Sequence, residues 1–140
     1  MLKGIDPVLT PELLKALHEM GHADTVALVD RNYPATTSGR PVIHLGEISA
    51  ERAARALFSV FPLDTFIDQP LGRMASAPGD RPHRVHQRVL EIAADGHPKS
   101  LNYELIERHD FYDRARQCHV IIQCLEEAPY SCFIAQKGVV

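Results

Sequence analysis

The stretch Leu17–Asp30, LHEMGHADTVALVD, contains the change of pattern that decides the fold. Up to Met20 it completes an apolar face with helical spacing, and over Thr25–Val29 it is a short run of β-branched and apolar residues. Such a run is typical of a strand that is buried in a sheet. Gly21 lies at the change, where we expect it to end the helix in a left-handed conformation. The stretch therefore predicts a helix followed at once by a buried strand.

Helix and strand patterns alternate through the rest of the chain. The first helix begins at Thr10-Pro11-Glu12, which provides a hydroxyl cap, a proline at the first position and an acid in the first turn. Further helices are predicted over residues 49–61, 82–95 and 110–118. Strands are predicted over residues 25–29, 41–45, 63–67, 71–75, 103–107, 120–125 and 131–136. This alternation, without a repeat or a linker, predicts a single layered α/β domain over residues 1–140.

Composition restricts the classes of protein to consider. The 140 residues are 45% hydrophobic and carry a formal net charge of −3, which is ordinary for a globular protein. This balance predicts no nucleic-acid partner and no membrane partner, and the basic run Arg81–Arg88 is interpreted as a solvated helix face. The N-terminus does not resemble a signal peptide, and no apolar run is long enough to cross a bilayer. The three cysteines fit neither a disulfide framework nor a typical metal site, so we expect a reduced, cytoplasmic protein.

The segment His18–His22 matches H-E-x-x-H, the pattern in which two helical histidines bind zinc and the glutamate acts as a base. Two features argue against zinc. Gly21 inside a helix would cost about 1 kcal/mol relative to alanine, and the residues after His22 provide no third ligand. We therefore expect no metal and no other cofactor, and we interpret His18 as a surface histidine. A zinc hydrolase is kept as an alternative.

Three blocks of the chain together resemble a known family. The first is LKGIDPVLTPELLKALHEMGH over residues 2–22, continued by the pattern Asp-x-x-x-Pro over residues 30–34. The second is ERHDFYDRA over residues 107–115, which fits the pattern Arg-x-x-Phe-Tyr-x-Arg-Ala. The third is the tail, with PYSC at residues 129–132 and KGV at residues 137–139. In this order the blocks resemble the family of D-ribose pyranases and L-fucose mutarotases, and the first two blocks resemble the fucose branch.

The resemblance implies a three-layer α/β/α fold with a largely parallel or mixed central sheet, in a ring-shaped homo-oligomer that is commonly a decamer. It also implies a sugar mutarotase, an enzyme that interconverts the cyclic forms of a free monosaccharide without metal or nucleotide. The substrate would be L-fucose or a related deoxyhexose, and His22 would be the catalytic acid and base. The residues in contact with the sugar would be Asp30, Arg108, Tyr130, Ser131 and Cys132.

These residue types suit the reaction. Opening a cyclic hemiacetal requires that the ring oxygen gains a proton while the anomeric hydroxyl loses one. An imidazole, with an ordinary pKa of about 6.5, can do both near neutral pH. Asp30 can accept hydrogen bonds from sugar hydroxyls, Arg108 can donate several, and Tyr130 offers a hydroxyl and an apolar ring face. Cys132 stands where the family usually has asparagine, and a thiol is a weaker hydrogen-bonding group than an amide.

A non-catalytic sugar-binding module is the alternative to an enzyme. Such a module would keep Arg108 and Tyr130 as sugar contacts but would have no need of a titrating His22. The exchange of sugar anomers distinguishes the two, because a binding module leaves its rate unchanged.

The positions of His22 before the buried strand and of Asp30 after it limit the geometry of the site. At about 3.3 Å per residue, the strand separates them by roughly 17 Å, which is farther than a monosaccharide extends. Either the segment 22–24 folds back over the sheet, or two subunits share the site. We expect a shared site, with the region around Tyr130 contributed by the neighbouring subunit.

Overall fold

A mixed sheet of six strands organises the protein in the computed structural model, which describes residues 1–140. The strands are, in chain order, β1 (Thr25–Val29), β2 (Val42–His44), β3 (Leu71–Met74), β4 (Tyr103–Ile106), β5 (Val120–Gln123) and β6 (Phe133–Gln136). Across the sheet their order is β2-β5-β1-β6-β3-β4. β6 runs antiparallel to its neighbours β1 and β3, whereas the other pairs are parallel.

Helices cover both faces of this sheet. They are α1 (Pro11–Glu19), α2 (Ala50–Phe58), α3 (Arg84–Ala94) and α4 (Arg108–Ala115), with a short 3-10 helix at Thr36–Ser38. The first three helices share one apolar core with the sheet, and α4 packs into a second core on the opposite face. The prediction of an α/β/α protein with a mixed sheet is confirmed. None of the helices has both the length and the apolar character needed to cross a membrane.

The strand β1 is buried on both faces, as its composition predicts. Val26 and Leu28 project into the core under α1, α2 and α3, whereas Ala27 and Val29 project into the core under α4. β5 and β6 pair with its two edges. An uninterrupted apolar run is required here, because successive residues of a strand point to opposite faces of the sheet.

Local signals fix where the helices begin. The hydroxyls of Thr10 and Ser49 each accept a backbone N–H from the first turn of the following helix, at 3.2 and 3.1 Å, so both predicted caps are confirmed. α4 begins two residues earlier than predicted, because the carboxylate of Glu107 accepts two backbone N–H groups of its first turn. α2 ends at Phe58, before the predicted end at residue 61.

The predicted strand over residues 63–67 is wrong. Only Leu63 pairs with the sheet, through a single bridge to Lys137. The chain then turns, because the carboxylate of Asp64 accepts the backbone N–H of Phe66 at 2.9 Å. A local bond of this kind gives the backbone an alternative to the hydrogen-bond ladder of a strand.

A histidine is completely buried on the inner side of α3. His86 has 0% of its surface exposed, and its Nδ1 accepts the backbone N–H of His83 at 3.0 Å, so its ring proton lies on Nε2. Burial, together with the positive charge of nearby Arg73, lowers the pKa of His86 to about 4. The folded protein therefore keeps this imidazole neutral at pH values at which the unfolded chain would protonate it.

Acid is expected to destabilise the protein through His86. Its pKa is lower in the folded state than the ordinary 6.5, so the stability it contributes is present above pH 6.5 and is lost as the pH falls towards 4. Between pH 7 and pH 5 this group alone should lower the free energy of unfolding by roughly 2 kcal/mol. Urea unfolding at both pH values measures this for the wild type, for His86→Gln and for the exposed control His18→Gln. The loss should shrink only in His86→Gln, and an equal pH dependence in both variants contradicts the assignment.

Candidate functional site

The chain leaves α1 in a different way from the prediction. Met20 is extended, with φ −67° and ψ 134°, and Gly21 is not left-handed. The positive φ falls instead on Ala23, at 71°, whose N–H donates to the carbonyl of Lys137 at 2.9 Å. The prediction for Gly21 was wrong because the chain turns where it meets the segment that follows β6, and not where the helix ends.

The H-E-x-x-H pattern is split by the end of α1. His18 lies in the last turn of the helix and is exposed, while His22 lies beyond it. The two imidazoles therefore do not project from neighbouring turns of one helix, which is the arrangement that the zinc pattern needs. No group of three or more His, Cys, Asp or Glu side chains is arranged to hold a metal ion.

A buried carboxylate holds the imidazole of His22. Nε2 of His22 lies 3.0 Å from Oδ2 of Asp64, a residue that is only 1% exposed. The same oxygen accepts Nε2 of Gln136 at 2.9 Å, and Oδ1 accepts the N–H of Phe66 at 2.9 Å. Burial opposes ionisation of Asp64, yet the hydrogen bonds from Phe66, Gln136 and His22 together hold its pKa below the ordinary value. Asp64 is therefore an anion at neutral pH.

The imidazole lies beside an open groove of about 710 Å³. The groove runs between the end of α1 and the C-terminal segment, and its lining includes Leu14, Met20, Phe61, Lys137 and Val139. The side chain of His22 is 43% exposed and meets the ring of Phe66 edge to face, with ring centroids 5.3 Å apart. The imidazole of His22 is thus partly exposed, hydrogen-bonded at Nε2 and without a hydrogen-bond partner at Nδ1.

A second cavity, of about 200 Å³, lies at the opposite end of β1. It contains four of the predicted sugar contacts, and its full lining is Asp30, Asn32, Tyr33, Met74, Arg108, Tyr112, Pro129, Tyr130 and Cys132. The fifth predicted contact, Ser131, is buried and contributes its backbone N–H, which donates to Oδ2 of Asp30 at 3.1 Å. The structure therefore brings these five residues together without His22.

Asp30 is the electrostatic centre of this second cavity. Burial raises its pKa, and hydrogen bonds from the N–H groups of Asn32 and Ser131 and from the thiol of Cys132 partly offset that effect. The thiol lies 3.5 Å from Oδ2 of Asp30, and burial next to this carboxylate raises the pKa of Cys132 well above its ordinary value. Cys132 is therefore a neutral donor to Asp30.

The rim of the second cavity supplies donors and an aromatic face. Arg108, the first residue of α4, contacts only the ring of neighbouring His109, at 3.3 Å, and has no carboxylate partner. Its remaining guanidinium N–H groups are available to a ligand. Tyr130 has a left-handed backbone, with φ 61°, which is costly for a residue with a side chain and is typical of functional loops.

The two cavities share no lining residue. His22 lies at the end of the sheet where β1 begins, and it shares its hydrogen-bond partner Asp64 with Gln136. Asp30 directly follows the other end of β1. The segment 22–24 does not fold back over the sheet. Within one chain, His22 and the residues around Asp30 are separated by the length of β1, roughly 17 Å.

Comparison with known proteins identifies the chain. Residues 3–140 match the RbsD / FucU transport protein family.

The chain belongs to this family.

An L-fucose mutarotase of Haemophilus influenzae is 39% identical over 140 residues, which are 99% of this chain and 97% of that protein. Among solved structures, FucU from Bifidobacterium longum is 34% identical with a TM-score of 0.92, and the match covers 99% of each chain. The fucose mutarotase of Streptococcus pneumoniae, solved in complex with L-fucose, is 30% identical with a TM-score of 0.88, again over 99% of each chain.

Membership of the RbsD / FucU family confirms the resemblance seen in the three sequence blocks. Two features of the site were not predicted from the sequence. Asp64 was not among the predicted residues, although a lone acid in an otherwise apolar segment is a recognisable signal of a buried, paired carboxylate. The role of Cys132 as a donor to Asp30 was also not predicted. Both depend on contacts between segments far apart in the sequence.

The left-handed backbone of Ala23 provides a test of the loop that carries His22. We expect Ala23→Gly to raise the free energy of unfolding by up to about 1 kcal/mol, because glycine adopts positive φ without the clash of a Cβ. Ala16→Gly inside α1 is the control, and it should lower stability by about 1 kcal/mol. Urea unfolding measures both. A loss of stability in Ala23→Gly similar to that of the control contradicts the loop conformation.

Proposed function

We propose that this protein is a sugar mutarotase that interconverts the cyclic forms of a free monosaccharide, with L-fucose or a related deoxyhexose as substrate. The observation that carries the proposal is the accessible imidazole of His22 held by the buried carboxylate of Asp64. The names of the relatives support both the reaction and the sugar.

The reaction needs only proton transfer, which explains why one imidazole suffices. The anomeric hydroxyl gives up its proton, the bond between the anomeric carbon and the ring oxygen breaks, and the ring oxygen takes a proton. The open-chain aldehyde then rotates and closes on its other face. No electrons leave the sugar, so no redox partner or activated group is required.

The second cavity suits the recognition of a small polyol. Its volume of about 200 Å³ is below the roughly 300–1,000 Å³ of sites for drug-sized ligands. Asp30 and Asn32 offer polar groups on one side, Arg108 offers donors at the rim, and Tyr130 offers a ring face. Met74 adds an apolar surface, which suits a sugar that carries a methyl group in place of a hydroxyl.

The complete site is proposed to form between subunits. Since His22 and Asp30 lie at opposite ends of β1, a sugar can meet both only if His22 comes from one chain and the second cavity from its neighbour. Exposed apolar side chains beside His22 support a protein partner there, because Phe66 is 71% and Ile67 is 42% exposed. A ring-shaped homo-oligomer, specifically a decamer, is the assembly that we propose.

A cytoplasmic location is proposed from the state of the cysteines. Cys118, Cys124 and Cys132 are all free and buried. Burial raises the pKa of each thiol, to about 11 for Cys124, so all three are poor nucleophiles. Reduced thiols of this kind are typical of proteins in reducing compartments.

Replacing His22 should abolish catalysis without unfolding the protein. His22→Ala is expected to slow anomer exchange roughly 10²-fold or more, because the proton-transfer group is lost. Saturation-transfer NMR between the anomers of L-fucose measures the rate, and circular dichroism checks the fold. Exchange at the wild-type rate in a folded His22→Ala variant would rule out this assignment.

His18→Ala is the matched control for His22, and it also tests the zinc alternative. We expect it to leave the rate unchanged, since His18 is exposed on α1 and has no part in the proposed reaction. Elemental analysis accompanies the kinetics. Stoichiometric zinc that is lost together with activity in His18→Ala would establish the zinc hydrolase alternative instead.

Subunit mixing should show that two chains share one site. His22→Ala and Tyr130→Phe chains are each expected to be impaired alone. In a one-to-one mixture that exchanges subunits, about one quarter of shared sites should combine an intact His22 with an intact Tyr130. Activity should then rise well above that of either parent. If activity does not recover although mass spectrometry shows that subunits have exchanged, one chain supplies both residues. A wild-type protein that binds the sugar but does not speed the exchange of its anomers would favour the non-catalytic binding module.

A further inference from the structure

The carboxylate behind His22 determines which ring nitrogen can act. We propose that Asp64 is a positioning residue that holds the proton of neutral His22 on Nε2, so that Nδ1 is the atom that exchanges protons with the sugar. This inference rests on the proposed mutarotase function and adds to it the acting atom and the residue that selects it.

The hydrogen bonds around Asp64 leave only one protonation pattern for the neutral ring. A carboxylate is an acceptor only, so the nitrogen that faces it must carry the hydrogen. Oδ2 of Asp64 accepts Nε2 of Gln136 as well as Nε2 of His22, and Oδ1 accepts the N–H of Phe66. Every partner of this carboxylate is thus a donor, which stabilises its charged form.

The backbone around His22 is equally constrained. The N–H of Ala23 donates to the carbonyl of Lys137 at 2.9 Å, and the N–H of Lys137 donates to the carbonyl of Asp24 at 2.8 Å. Asp64 is tied to the same segment, because its N–H donates to the carbonyl of Gln136 at 3.1 Å. The imidazole and its carboxylate are therefore both anchored to the end of β6, which fixes their relative position.

The free nitrogen of His22 is the one that can meet a substrate. Nδ1 makes no hydrogen bond within the chain, and the side chain is 43% exposed beside the groove. The edge-to-face contact with Phe66, with an interplanar angle of 82°, and the hydrogen bond at Nε2 both restrict rotation of the ring about its Cβ–Cγ bond. Nδ1 is consequently the ring nitrogen without a protein partner, on a side chain whose orientation is fixed.

The proton balance of mutarotation fits this arrangement. The lone pair of Nδ1 takes the proton of the anomeric hydroxyl, the bond from the anomeric carbon to the ring oxygen breaks, and a carbonyl forms. The imidazolium made in this step faces the negative charge of Asp64, which stabilises it. The ring oxygen then takes the proton from Nδ1, and the neutral ring is restored. Both sugar oxygens are bonded to the same carbon, so one nitrogen can serve them in turn.

Asp64→Asn is the discriminating variant. With the amide oxygen kept on the N–H of Phe66 and the Gln136 amide turned so that its oxygen faces the substituted side chain, the new NH₂ group donates to Gln136 and to Nε2 of His22. The ring proton then moves to Nδ1, which can no longer act as a base. We expect kcat for L-fucose to fall by roughly 10²–10⁴-fold with KM nearly unchanged, because Asp64 is only 1% exposed and offers no surface to a sugar. Asp68→Asn, an exposed acid on the same loop that bonds Asn102, is the matched control and should behave as the wild type.

Nitrogen-15 NMR of the His22 ring shows which of its nitrogens carries the hydrogen. This would not change if Asp64 had only a structural role. In the wild type without sugar, the shifts should show hydrogen on Nε2 and a bare Nδ1; in Asp64→Asn this pattern should reverse, and in Asp68→Asn it should not. Hydrogen on Nδ1 in the wild type overturns the inference, even if Asp64→Asn fails to fold. A reversed pattern with unchanged kcat also overturns it. If the tautomers are as expected but the wild-type protein does not speed the exchange of sugar anomers, the proposed function is contradicted. The inference that Asp64 sets the tautomer of His22 would then still stand.

Discussion

Burial of β1 on both faces is the constraint on which the rest of the structure depends. A strand with apolar cores above and below it has no room for polar side chains along its buried part, Val26–Val29. Polar chemistry is consequently displaced to its two ends, with His22 before the strand and Asp30 after it. The order of the sheet then decides the neighbours of each end, since β6 runs antiparallel to β1 and places Gln136 beside the start and Ser131 beside the finish.

Each end of β1 is built around one buried carboxylate, and the two behave differently. At the start, hydrogen bonds outweigh burial, and the pKa of Asp64 is lowered. At the finish, burial outweighs the hydrogen bonds, and the pKa of Asp30 is raised. Asp64 is therefore suited to balancing a positive charge on an imidazole. Asp30 has a charge that its surroundings satisfy incompletely, which favours additional donors such as sugar hydroxyls.

Features set by neighbouring residues could be read from the sequence, and features set by distant residues could not. The apolar run of β1 and the caps at Thr10 and Ser49 depend on residues within a turn or a strand, and they were predicted correctly. The predicted sugar contacts came from the family resemblance, and four of the five line one cavity. The strand over residues 63–67 and the left-handed Gly21 were wrong, because the carboxylate of Asp64 and the carbonyl of Lys137 override the local pattern.

The attachment of the His22 loop to the segment after β6 also has a consequence for synthesis. Translation produces α1 and His22 early, but the partners that fix the loop, Gln136 and Lys137, emerge more than a hundred residues later. Until then α1 can form its helix while the loop lacks its anchors. A ribosome-bound nascent chain would therefore carry an unfinished His22 loop until β6 has emerged, and the hydrogen-bonded geometry of His22 and Asp64 would be complete only when β6 joins the sheet.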